Sequence, residues 1–140
     1  MWGGAHTFNY TPSVLDAQMN AFSSFINPKN FDDRADVIAA VFSQNPGSVR
    51  SVLAVMFYVE PIINPPIFRP FTSIAMPVSN TLRLGNISNI ISEQPVTLPA
   101  DANRAYYFTY SFKHFDITLY KELIRVWEDI TNTLDDIQGL

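Results

Sequence analysis

Alternation at the start of the chain predicts a strand: over residues 2–10, Trp2, His6, Phe8 and Tyr10 fall on one face. Thr11-Pro12 then supplies a helix N-cap followed by a proline at the first helical position. Leu15, Met19, Phe22 and Ile26 recur at helical spacing and predict an amphipathic helix over 12–26, which Asn27-Pro28 ends. Residues 35–43 and 50–60 are runs of small and β-branched apolar residues around the turn signal Gln44-Asn45-Pro46-Gly47. They predict a hairpin. Because both runs are apolar on both faces, both are expected inside the sheet with both sides covered.

Pro61, Pro65, Pro66 and Pro70 forbid continued strand pairing, and Asn64-Pro65-Pro66-Ile67-Phe68 predicts a short helix that buries Phe68 and Phe71. A short strand is expected over 80–84. Asn86 or Ser88 is expected to cap a short helix carrying Ile87, Ile90 and Ile91. Residues 104–113 alternate sharply: Tyr106, Phe108, Tyr110 and Phe112 on one side, Tyr107, Thr109, Ser111 and Lys113 on the other. Asp116 caps a long helix whose apolar stripe reads Leu119, Leu123, Val126, Trp127, Ile130 and Leu134. Trp127→Ala is expected to cost roughly 3–5 kcal/mol if that residue is fully buried. The order of elements predicts a single α+β domain over 1–140: a mainly antiparallel sheet with helices packed on one face, in two layers.

Composition narrows the chemistry. The chain has 140 residues, 47% hydrophobic and 16% charged, enough to bury a core without staples. With no cysteine, it holds no disulfide, thiolate metal site, cysteine nucleophile or cysteinyl flavin link. The net charge is −4 and the nine Lys and Arg residues are scattered, so neither a nucleic-acid nor a polybasic membrane partner is expected. The N-terminus does not read as a signal peptide, which makes a cytoplasmic protein the default expectation. No phosphate-cradling glycine loop, HExxH pair or G-x-S-x-G elbow occurs, and no metal site is expected. His6 reads as a structural histidine, His114 as a surface histidine at a helix start, and Glu60 as a solvated carboxylate. Tyr107, Thr109, Ser111 and Lys113 are the candidate ligand-facing residues, because burying that face requires partners for three hydroxyls and an ammonium.

The stretch 57–94, FYVEPIINPPIFRPFTSIAMPVSNTLRLGNISNIISEQ, resembles the substrate-domain segment of fungal berberine-bridge-like FAD-linked oxidoreductases. Asn64-Pro65-Pro66-Ile67-Phe68 with Pro70-Phe71, then Asn80-Thr81-Leu82-Arg83, carry most of the likeness. Trp2-Gly3-Gly4 and residues 107–128 fit the same order. The resemblance implies a substrate domain whose sheet bears helices on one face and covers flavin and substrate with the other. Tyr107, Thr109, Ser111 and Lys113 would then face substrate. It also implies that FAD belongs to the full-length family, with its linking residues and final strands outside these 140 residues, so no cofactor is assigned to this chain alone.

The expectation is therefore a truncated FAD-linked oxidoreductase homologue of secondary metabolism, contributing a substrate domain and not redox-competent by itself. A flavin-free domain that binds a hydrophobic small molecule or guides a cyclisation is an alternative, and a non-catalytic interaction module is another. A homodimer, or a separate flavin-domain chain, would supply the missing cover. Without it, apolar sheet surface should be exposed.

Overall fold

The structure, a computed structural model, describes residues 1–43, 50–92 and 116–134. Strand β1 (Trp2–Asn9) runs into helix α1 (Pro12–Phe25), and a hairpin of β2 (Ala35–Ser43) and β3 (Arg50–Tyr58) follows. A 3-10 turn over Pro66–Phe68 leads into the single-turn helix α2 (Arg69–Thr72). Two-residue strands β4 (Ser79–Asn80) and β5 (Arg83–Leu84) precede the short helix α3 (Ile87–Ile91) and the long helix α4 (Ile117–Leu134). The fold is α+β, and its described strands form one antiparallel sheet in the order β2-β3-β1-β4, with β5 also on β1.

The register puts Trp2, Gly4, His6 and Phe8 beside Tyr58, Met56, Ala54 and Val52 on one face of the sheet. Helices α1, α2 and α4 pack on that face. Ala21, Phe22 and Phe25 of α1 and Phe71 of α2 meet Trp2, Ala54, Met56 and Tyr58. Phe68 is the hub. It is fully buried, with ring centroids 5.7 Å from Trp2, 5.8 Å from Phe25 and 6.4 Å from Tyr58. The prolines that stop strand pairing after β3 thus aim Phe68 and Phe71 back under the sheet, as the sequence predicts.

The outer edge of β1 explains a glycine. Between β4 and β5 the chain bends in toward β1: the Thr81 N–H donates to the Ala5 carbonyl (2.9 Å), and the Ala5 N–H donates to Thr81 Oγ1 (2.9 Å). Gly4, at φ +143°, faces this bend, and a Cβ there would lie 2.5 Å from the Thr81 carbonyl oxygen. Only glycine combines that dihedral with so close a backbone approach.

Three expectations need correction. The α1 stripe does not end at Ile26, which is the C-cap and 37% exposed; Gln18 and Ala21 are buried beside Leu15 and Met19 instead. Strand β2 is an edge among the described residues, and its Ile38 is 54% exposed, so it is not covered on both sides. Helix α4 uses a different seam. Ile124, with Ile117 and Tyr120, packs on Leu15, Met19 and Tyr10, while Leu119, Leu123, Val126 and Ile130 stay exposed. Trp127 is half-buried, its ring 6.3 Å from that of Tyr10 and under the Arg50 guanidinium at 5.5 Å, so its loss costs less than full burial would imply. The physical reason is polar. Tyr10 donates to Glu128, Arg50 donates to Thr131 and Asn132, and Lys121 pairs with Asp16, so these contacts select the face that α4 turns inward. The turn at Gln44-Asn45-Pro46-Gly47, the strand expected over 104–113 and the side chain of Leu134 lie outside the described residues.

Two outcomes follow. Gly4→Ala should lower unfolding stability by about 2–4 kcal/mol through strain and clash, read by urea denaturation; an unchanged midpoint would contradict this account of the edge. Ile124→Ala should cost about 2–4 kcal/mol, against under about 1 kcal/mol for Leu123→Ala. Equal costs would mean that α4 presents the other seam to α1.

Candidate functional site

The sequence-predicted residues Tyr107, Thr109, Ser111, Lys113 and His114 lie outside the described residues. The sheet face opposite the helices can be followed on β1 and β3. Its centre is buried, with Ala5, Leu53 and Val55 at 3, 7 and 5% exposure, and Phe57, Phe42 and Ala40 pack around them. The bare apolar surface expected on this face is therefore not found at its centre; among the described residues Ile38 of β2 is open at its margin.

His6 and Gln18 are the buried polar side chains on the helix-bearing side of β1 and in α1. Gln18 Nε2 donates to the Leu53 carbonyl (2.9 Å), while Gln18 Oε1 and both nitrogens of His6 have no hydrogen-bond partner of normal geometry among the described residues. The His6 ring stands edge-on to Phe8 at 5.6 Å. Burial lowers the imidazole pKa from its usual 6.5; Asn80, across the strand pair, opposes that shift without closing a bond of normal geometry. Burial thus favours the neutral imidazole, and its unpartnered nitrogens depart from the satisfied structural histidine that the sequence predicts.

An open cleft of about 980 Å³ lies at the other end of the hairpin, where α1 ends, β2 begins and β3 finishes. Local capping builds its rim. Asn27 Oδ1 accepts from the Lys29 N–H, and Asn30 Nδ2 donates to the Ser24 carbonyl at 2.8 Å. Its floor is an ion-pair network. Asp32 Oδ1 accepts from the backbone N–H and Nε of Arg34, and Asp32 Oδ2 accepts from Arg34 Nη2 and the Tyr58 hydroxyl at 3.0 Å. Arg34 Nη1 donates to Glu60 (3.2 Å), and its guanidinium lies 5.4 Å from the Tyr58 ring centroid. Arg34 holds the Asp32 carboxyl down to about 2, with its backbone N–H and the Tyr58 hydroxyl adding to the effect. The opposite wall is apolar, formed by Ile62, Pro66, Ile67 and Pro70. Phe31 stands at the mouth, 79% exposed.

Sequence reasoning gave Glu60 a solvated role and passed over Asp32 and Arg34. The signal was in the hairpin: pairing Ala35 with Tyr58 places Arg34 beside Val59 and Glu60, so the acidic turn and the end of β3 meet. Among the described residues no group of three His, Cys, Asp or Glu is placed to hold a metal ion, and no helix is long and apolar enough to cross a membrane. No family model, curated protein or solved structure matches the chain.

The titrations give signed pH effects. The folded pKa of Asp32 is depressed, so its contribution to stability is present above the unfolded value of 3.8 and is lost as pH falls toward about 2. Asp32→Asn should flatten the stability profile between those values; an unaltered profile would refute the network. The folded pKa of His6 is also depressed, so the unfolded chain binds more protons below pH 6.5 and stability falls as pH drops through that value. His6→Leu should remove that slope.

Proposed function

We propose that these 140 residues form the substrate-side portion of a berberine-bridge-like FAD-linked oxidoreductase of secondary metabolism. Such a portion receives a hydrophobic small molecule and is not redox-competent alone. The observation that supports the reading is the antiparallel sheet with α1, α2 and α4 packed on one of its faces. The segment with the family likeness supplies the aromatic hub at Phe68 and the β4–β5 edge against β1.

FAD does not fit the described residues by themselves. The centre of the second face is closed over Ala5, Leu53 and Val55, leaving no open seat there for a flavin ring, and no redox step is derived from this chain. Tyr107, Thr109, Ser111 and Lys113 remain the proposed substrate-facing residues. A second reading, a flavin-free small-molecule binder, is favoured by the cleft above Tyr58.

Gel filtration with FAD tests the first reading. The chain alone should elute colourless, and it should co-elute with a yellow chromophore when a separately expressed flavin domain of the family is added. A yellow chain without that domain, or no association with it, would contradict the reading. So would a crystal structure placing Tyr107, Thr109, Ser111 and Lys113 on the helix-covered side.

A further inference from the structure

The cleft between α1, β2 and the proline loop has a composition that selects its ligand. The polar floor is already satisfied. Both Asp32 oxygens are engaged by Arg34, and one also by Tyr58, while Arg34 is shared with Glu60. Of the lining charges, those left unpaired by any described side chain are Lys29 and Asp33, both exposed. Counting the floor and its partner, Lys29 and Arg34 set two positive charges against three negative ones on Asp32, Asp33 and Glu60. The cleft is therefore acidic by one charge and disfavours an organic anion.

Its other half is apolar. Phe31 exposes 79% of its surface at the mouth, Ile62 exposes 43%, and Ile67 and Pro70 continue the wall inward. An exposed aromatic beside a free carboxylate suits a flat body that ends in a cationic group: the ring stacks, and the cation meets both the carboxylate and the π face. The supporting frame is stiff. Asn30 is tied to the end of α1, Asp32 is clamped by Arg34, and Pro65, Pro66 and Pro70 fix the facing loop.

We propose that this cleft binds a small organic monocation with a flat apolar body, an arylalkylammonium in chemical class. Asp33 takes the ammonium group, and Phe31, Ile62 and Ile67 take the ring. The site lies at the end of the sheet on the helix-bearing side, and the inference is independent of the oxidoreductase reading.

The test is a ¹H–¹⁵N titration of the full chain with phenethylammonium and, separately, with phenylacetate, which has the same ring and the opposite charge. Phenethylammonium should give saturable shifts confined to the Lys29–Arg34 segment and the Ile62 and Ile67 amides, with phenylacetate the weaker binder. Asp33→Asn should weaken phenethylammonium by about two- to five-fold, the range for one exposed ion pair. It should leave the remainder of the spectrum in place, because no described side chain pairs with the Asp33 carboxylate. Phe31→Ala should weaken both probes. The proposal is overturned if the shifts fall elsewhere or do not saturate, if phenylacetate binds as well, or if Asp33→Asn has no effect.

Discussion

The packing of Phe68 against Trp2, Phe25 and Tyr58 holds the remainder of the molecule in place. One ring from a proline-rich loop closes contacts with the first strand, the first helix and the last residue of β3. Each of these aromatic pairs is worth about 0.5–1.5 kcal/mol beyond area burial, and Phe68 is wholly excluded from water. The hub also sets the geometry of the cleft. Tyr58 is fixed from below by Phe68, and its hydroxyl points to Asp32, which positions Arg34 and through it Glu60. Core packing and the polar floor are successive layers of one column.

The two edges of the β1–β3 pair are managed differently. On the β1 side, Thr81 hooks into the ladder with both its backbone and its hydroxyl, and Gly4 makes room for it. On the other side β2 leaves Ile38 in solvent. Helix α4 repeats the contrast. Its inner seam is fixed by Ile124 and by polar ties to Tyr10, Arg50 and Asp16, and its outer seam of Leu119, Leu123, Val126 and Ile130 is open to solvent.

Much of the fold was legible because its signals are local. Thr11-Pro12 starts α1 as its capping chemistry predicts, Asn86 and Asp116 accept from the N–H groups they were expected to cap, and the proline cluster buries Phe68 and Phe71. What failed needed tertiary information. Helix α4 carries two apolar seams of equal periodicity, and only its long-range contacts choose between them. In α1, Gln18 is buried because it reaches the Leu53 carbonyl, a bond that no hydropathy pattern announces. Asp32 and Arg34 carry no sequence signal of their own; the hairpin register brings Tyr58 and Glu60 across to them. Of the candidate site, Glu60 and His6 fall within the described residues, and the 107–113 face does not.

Native-state hydrogen exchange reads the central claim most directly. If the β1–β3 pair clamped by Phe68 is the stability centre, amides of Trp2–Phe8 and Val52–Tyr58 should exchange last, at the rate of global unfolding. Amides of α4 or β2 that outlast them would place the centre of the fold elsewhere.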